Sequence, residues 1–505
     1  MAWKNRIRTA GARMLRDEGG NVLMFVGLGM FALVGATGVA VDMSRLQSAQ
    51  TKLSNALDSA GLAAGSKAHS ANVQQVVNNY MAVNYPPGFL DSTLMSTTAT
   101  VSQDNTVITL SATARVPMTF MQIFGTEYMD VVASSEITRE NKGLELVMAL
   151  DVTGSMAGTK ITDLRSAATD MVNILFGDKA TMENLYVAVV PYVTTVNIGS
   201  DKTAWLRNYD LSRYPAQYPA GAVKWKGCVE SRTQYPVTNG LDLTDAIPEA
   251  GKPETLFPMY FWESNTVQAS NAHNNPWITK TTTTKNGKTT TTTTVTLNEG
   301  SGYTDAAAKG PNVGCGTPIT PFTTQKATVQ SAIDALVPWR RGGTMSSEGM
   351  AWAWRVISPK WRGMWGNPDL PLDYNTPLMS KAVIMMTDGV NEIYTGVYPY
   401  LGSDYTSYGH IQQKKMGNTV DTTAEGITAV NSKFASICTA MKAQNIIIYT
   451  VTFQLNNSTA SNNARTMFRN CASKPEYYFD SPDGATLRQS FRQIGDSLAN
   501  LMISR

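Results

Sequence analysis

Histidine is the scarcest chemistry-bearing residue here: His69, His273 and His410 are the three in a chain of 505. The four cysteines, Cys228, Cys315, Cys438 and Cys471, show no Cys-x-x-Cys spacing. That combination argues against a Cys/His zinc site. Charge is thin as well, with 16% charged residues and a net charge of +3, so neither nucleic acid nor an acidic substrate is implied. No glycine-rich phosphate loop with its lysine follows the first strand of the α/β region, which removes the nucleotide-binding reading.

One long uncharged stretch stands out against this background. Val22 to Val41 carries no charge and has the length, roughly 20 residues, needed to cross a bilayer as a helix. Lys4, Arg6, Arg8, Arg13 and Arg16 precede it, and Asp17 is the first acid. The positive-inside bias makes residues 1–20 a cytoplasmic basic segment and 21–41 a transmembrane helix, with everything after Asp42 on the outer side. A cleaved signal peptide is the alternative, but the stretch is long for one and runs on without a loop into a helical pattern. An exported chain with an even cysteine count is expected to form disulfides. Cys228 with Cys315 and Cys438 with Cys471 is the simplest of the three connectivities; four buried thiols is the other reading.

Beyond the membrane segment, Leu46, Ala49, Leu53, Ala56, Leu57, Ala60 and Ala63 recur at helical spacing, the apolar stripe of a stem over 42–89. Helical patterning resumes at Val73–Val83 and stops at Pro86-Pro87-Gly88. The period then becomes two: Ile108, Leu110, Ala112, Ala114 and Val116 alternate with polar residues, and residues 90–140 read as a small antiparallel sheet, with Asp104-Asn105 as a turn. From 144 to 502 strands and helices alternate, which predicts a parallel-rich, doubly wound α/β sheet with helices on both faces. Residues 200–322 interrupt that alternation. This insert is dense in aromatics, among them Trp205, Tyr214, Trp225, Tyr235, Phe261, Trp262 and Trp277, which either build a core of their own or form a ligand-contacting surface. Asn286-Gly287 between two threonine runs predicts a projecting hairpin.

Three short segments in the α/β region supply hard oxygen donors. Asp151-Val152-Thr153-Gly154-Ser155 follows the apolar run Leu144–Leu150, Thr344 ends Arg341-Gly342-Gly343-Thr344, and Asp388 lies in Thr387-Asp388-Gly389 after Lys381–Met386. The first and last fall at the carboxyl ends of strand-like segments, where open α/β sheets bind their ligands. Two carboxylates and three hydroxyls suit a magnesium-type ion. Each segment alone is an ordinary turn or cap; the ordered set makes a site.

The set Asp-x-Thr-x-Ser, Gly-Gly-Thr and Thr-Asp-Gly resembles the metal-ion-dependent adhesion site (MIDAS) of the von Willebrand factor A domain, over roughly Leu144 to Met502. The resemblance implies that Thr153, Ser155 and Thr344 hold Mg²⁺ (Mn²⁺ or Ca²⁺ as alternatives) through hydroxyls or water. Asp151 and Asp388 would act largely through bridging waters, and an acidic residue of a protein ligand or surface receptor would complete the coordination. Thr153 stands where a serine is more usual. Asp17-Glu18-Gly19-Gly20-Asn21, Val41-Asp42-Met43-Ser44-Arg45-Leu46 and Gly349–Pro359 are similar to the TadG-like group of Tad/Flp pilus-assembly proteins. In that family pilin-type processing wants an acid five residues after the cleaved glycine; here Phe25 occupies that position.

The resemblance implies a bacterial envelope protein anchored in the inner membrane, its α/β domain in the periplasm or carried to a pilus tip, binding minor pilins or other pilus components. It is expected not to be an enzyme. A purely structural stalk with a vestigial metal site is the alternative. A hydrolase using Ser155 is a third reading, weakened because no histidine adjoins Ser155, Thr344 or Asp388 in sequence.

Overall fold

The computed structural model describes residues 20–65, 73–102, 107–138, 142–233, 240–265, 275–304, 307–395 and 400–502, with side chains from Met24 onward apart from Tyr400. The basic segment, the Asp104-Asn105 turn, Tyr235, His69 and His273 lie outside them. The chain divides into two compact units, with the boundary between Asn141 and Lys142.

In the first unit, helix α1 (Gly20–Gly65) runs unbroken through the junction of uncharged stretch and stem, about 69 Å at 1.5 Å per residue. It is long and apolar enough to cross a membrane. Its amino-terminal half leaves Met24, Phe25, Leu28, Phe31 and Leu33 exposed, whereas Ala49, Leu53, Leu57 and Ala60 are completely buried. What buries them is a short helix, α2 (Val73–Asn84), and a three-stranded antiparallel sheet of β1 (Thr93–Val101), β2 (Val107–Pro117) and β3 (Tyr128–Thr138). The alternation read in β2 holds at every position: Ile108, Leu110, Ala112, Ala114 and Val116 all point into the core. Gly61 permits the close approach of α1, since a Cβ there would stand 2.8 Å from Ile137 and 2.9 Å from Leu110.

The second unit is the doubly wound α/β domain that the alternation predicts. In chain order it contains β4 (Gly143–Asp151), α3 (Thr159–Phe176), β5 (Leu185–Tyr192) and the two-residue β6 (Val196–Asn197), then the insert with three more two-residue strands: β7 (Leu206–Arg207), β8 (Cys228–Val229) and β9 (Phe257–Pro258). A hairpin of β10 (Ile278–Lys285) and β11 (Lys288–Val295) follows. The chain returns through β12 (Thr320–Thr323), α4 (Lys326–Asp334), α5 (Ser346–Ile357), β13 (Met379–Thr387), α6 (Thr423–Ala443), β14 (Ile447–Phe453), α7 (Thr459–Cys471), β15 (Tyr478–Ser481) and α8 (Gly484–Leu501). The main sheet has the order β12-β5-β4-β13-β14-β15, parallel except for the edge strand β12. Numbered by first appearance this is 3-2-1-4-5-6, so the order reverses between β4 and β13, where such sheets open a crevice at their carboxyl ends. Every residue of β4 is buried, as a strand covered on both faces requires.

Helix α5 is buried along its whole length because the insert lies over it. Phe257 packs on Trp352 with ring centroids 4.8 Å apart, and Trp205 meets Trp361 edge-on at 5.3 Å. Trp225, Phe261, Trp262 and Trp277 are buried as well. Of the two readings of the insert's aromatics, the structure gives the core; Tyr209 is an exception and stays exposed. Asn286 (φ 52°) and Gly287 (φ 70°) make the predicted hairpin turn, and threonines of β10 and β11 face solvent on both sides. Both cysteine pairs are bridged, Cys228 to Cys315 and Cys438 to Cys471. Between β14 and β15 lies an amphipathic helix, α7, that the sequence pattern does not predict.

Candidate functional site

Asp151 is the last residue of β4 and Asp388 follows the last residue of the adjacent β13, so both carboxylates stand at the crevice. Both are buried. Asp151 Oδ1 accepts from the Thr153 backbone N–H (2.9 Å) and its Oδ2 from the Thr387 hydroxyl (2.7 Å). Ser155 Oγ donates to Asp388 Oδ1 at 2.6 Å and lies 2.9 Å from Thr153 Oγ1. A hydroxyl has one proton, so Thr153 is the donor to Ser155. Asp151, Thr153, Ser155 and Asp388 are thus brought into one hydrogen-bonded chain, with Ser155 exposed to solvent at its open side.

Thr344 reaches this place by another route. The backbone of its loop pairs with its neighbours: Thr344 N–H donates to Glu392 O (2.9 Å), Met345 N–H to Val193 O (3.1 Å), and Trp339 N–H to Val152 O (2.8 Å). The loop therefore spans the carboxyl ends of β4, β5 and β13, although no hydrogen bond joins Thr344 to the other four residues. Gly342 (φ 83°) and Gly343 (φ 101°) allow it: a Cβ on Gly343 would stand 2.0 Å from Glu392 O, and one on Gly342 2.5 Å from Thr194. Arg341 anchors the loop from behind through two hydrogen bonds of 2.8 Å to the buried Asp404 carboxylate, its guanidinium 4.4 Å from the Trp262 ring centre. Trp262 belongs to a cluster with Tyr260, Tyr405 and the Cys228–Cys315 bridge, so the insert props up the loop that presents Thr344.

Two residues of the site, Asn391 and Lys160, and the role of Thr387 within its motif escape sequence reasoning. Thr387 orients Asp151, and Asn391 accepts from Ser346 N–H at the start of α5 (2.8 Å). Lys160, in the first turn of α3, places its ammonium 2.7 Å from Asp388 Oδ2. A lysine at a helix amino terminus opposes the helix dipole, and that was the available signal.

Electrostatics favour a cation here. Burial, then the neighbouring Asp388 charge, pushes the Asp151 carboxyl up to about 7 against its hydrogen bonds from Thr153 and Thr387. Neighbouring carboxylates are relieved either by a proton on one of them or by positive charge shared between them, and Lys160 supplies part of the latter. Among the described residues no group of three or more His, Cys, Asp or Glu is gathered, so the donor set is carboxylate plus hydroxyl, which fits a hard ion. His410 serves the scaffold instead, with its Nδ1 2.6 Å from Ser403 O and its ring packed against Tyr405.

Helix, sheet order and crevice define the class: an α/β domain of the doubly wound type, preceded by an apolar helix with a small β-sheet packed on its stem. Residues 20–68 match the family model of the putative Flp pilus-assembly TadE/G-like proteins. No curated protein matches. Similar solved structures include the pilus adhesin SpaC of Lactobacillus rhamnosus GG in its open conformation (9% identity, 81% of this chain, TM-score 0.35). The present chain spans 34% of the length of SpaC. The vWF domain of the type V pili tip protein Mfa5 of Porphyromonas gingivalis matches over 72% of this chain and 97% of its own (11% identity, TM-score 0.36). Proximal thread matrix protein 1 of the mussel byssus, in a structure with a zinc-occupied MIDAS motif, matches over 71% of this chain and 46% of its own (9% identity, TM-score 0.29). Identities and scores this low leave the fold to rest on the strand order and register above.

Proposed function

We propose that this chain is a component of a Tad-type pilus system whose α/β unit binds a protein partner or surface through a divalent cation. The observation that carries this is the pair of buried carboxylates, Asp151 and Asp388, at the carboxyl ends of neighbouring strands and linked through the Thr153 backbone N–H and the Thr153 and Ser155 hydroxyls. Asp151, Thr153, Ser155, Thr344 and Asp388 would hold Mg²⁺, with Mn²⁺ or Ca²⁺ as substitutes. When bound, the ion offers a coordination position that an Asp or Glu of the partner can fill. The protein's own contribution is to keep Asp151 fixed by Thr153 and Thr387, to leave Ser155 at the open face, and to hold the Thr344 loop rigid. The match at residues 20–68 and the apolar helix support an inner-membrane anchor with the α/β unit in the periplasm, or display at a pilus tip. Minor pilins or other pilus components are the partners this implies.

A second reading, a structural stalk with a vestigial metal site, is favoured by one observation: Lys160 already supplies Asp388 with a positive charge. Hydrolysis is not proposed, because Ser155 donates to a carboxylate and its other partner is a hydroxyl. The experiment is Asp151→Ala in the native host, counting pili and surface attachment on the same cells. Loss of pili assigns the site to assembly; pili without attachment make it the adhesive contact; no change in either supports the stalk.

A further inference from the structure

The turn between β2 and β3 is uncharged from Val116 to Thr126 and reads Val-Pro-Met-Thr-Phe-Met-Gln-Ile-Phe-Gly-Thr. Hairpin connections facing water are ordinarily polar. Here Ile123 is 72% and Phe124 61% exposed, and Phe120 is partly so. The turn is nonetheless tightly held. The Asp42 carboxylate accepts the backbone N–H groups of Thr119 (3.0 Å), Phe120 (2.7 Å) and Met121 (2.7 Å), and Arg45 donates to the Thr119 hydroxyl (2.5 Å). Gly125, at φ 89°, closes the single helical turn Met121–Phe124.

From this clamp the turn reaches back along α1 towards its exposed apolar half. The Phe120 ring fills the space at Gly38, where a Cβ would stand 2.6 Å from it, and the Phe124 ring lies 3.7 Å from the corresponding point at Gly35. Gly35 is seven residues before Asp42, about 10 Å along the helix axis. At that level α1 is itself apolar and exposed, through Phe31, Leu33 and Val34. The bulky exposed residues of the turn therefore sit beside the outer end of the uncharged helical segment, with Asp42 and Arg45 marking the polar side.

We propose that the β2–β3 turn is a second membrane contact, with Ile123 and Phe124 inserted into the outward-facing leaflet beside α1. The proposal rests on reading α1 as the membrane anchor. Its depth matches that of interfacial segments, whose apolar faces enter roughly 5–10 Å below the headgroups. One helix alone leaves the unit free to tilt relative to the bilayer; a second insertion on one side of α1 restricts that tilt. The sequence run Asp42-x-x-Arg45 then has a physical role as the clamp that aims the turn at the bilayer.

The test uses the full chain reconstituted in vesicles of phosphatidylethanolamine and phosphatidylglycerol, with a nitroxide at Ile123→Cys, Phe31→Cys or Val83→Cys. The native cysteines are all in disulfides and take no label. Collision with oxygen reports lipid and collision with a water-soluble nickel chelate reports water; Val83, 78% exposed on α2, is the aqueous reference. The expected result is nickel accessibility at Ile123 several-fold below that at Val83 and close to that at Phe31. Water-like behaviour at Ile123 with a lipid-like Phe31 overturns the proposal and leaves the anchor standing. Water-like behaviour at Phe31 overturns the anchor and the proposal together. Screening of Ile123 from both reagents also overturns it, since protein then covers the turn.

Discussion

Lys160 sets the terms of the candidate site at the scale of single residues. Its ammonium would compete with the proposed divalent ion for Asp388, so Lys160→Gln should raise Mg²⁺ affinity by on the order of tenfold, read by titration calorimetry. The same change should not loosen the fold, because Lys160 is partly exposed and Asp388 keeps its bond from Ser155. Gly343→Ala makes the opposite demand. It puts a methyl against Glu392 O at a left-handed backbone angle, and should cost about 2–4 kcal/mol in denaturant unfolding along with the Thr344 position. His410 gives the pH dependence. Burial pushes its imidazole down to about 4, so below the ordinary value near 6.5 the unfolded chain binds a proton that the folded one refuses. Stability from this residue is full above pH 6.5 and is lost as pH falls towards 4, on the order of 3 kcal/mol; His410→Asn should flatten that slope in thermal melts at pH 4.5 and 7.

At the scale of elements, legibility follows from how locally each signal is written. Strands β4 and β13 are apolar runs interrupted by Glu145 and Lys381, α5 is helical from Ser346 to Ile357, and Asn286-Gly287 names its own turn. The positions of Asp151, Thr153, Ser155 and Asp388 were legible as the ends of β4 and β13, whereas Thr344 lies in the loop before α5. Helix α7 was not legible, for its sequence Thr-Ala-Ser-Asn-Asn-Ala-Arg-Thr-Met-Phe-Arg-Asn-Cys buries little beyond Ala464, Phe468 and Cys471. Lys160 meets Asp388 across 228 residues, a pairing that no spacing rule contains. Whether the insert's aromatics face inward depends on α5 beneath them, which composition does not encode. The two disulfides separate the roles of these elements. In the chain-entropy model each contributes on the order of 4 kcal/mol. Cys438→Ser with Cys471→Ser should lower the melting temperature and leave divalent binding intact. Cys228→Ser with Cys315→Ser should weaken both, because that bridge lies behind Trp262 and the Thr344 loop.

At the scale of the whole molecule, the chain joins a unit built on an unbroken helix of 46 residues to a second unit that carries the candidate crevice. The membrane and crevice readings are independent, and experiment can separate them. Asp151→Ala should leave vesicle association unchanged in flotation assays while abolishing divalent-dependent partner capture. The Cys228–Cys315 bridge has a mechanical meaning as well. A tether pulled between the stem and a ligand held at Thr344 carries its load along the backbone from Asp151 to Thr344, and the insert lies on that path. Unbridged, the 87-residue separation between the two cysteines could release about 300 Å of slack. Bridged, the load bypasses that stretch, and the crevice yields only when the sheet itself does.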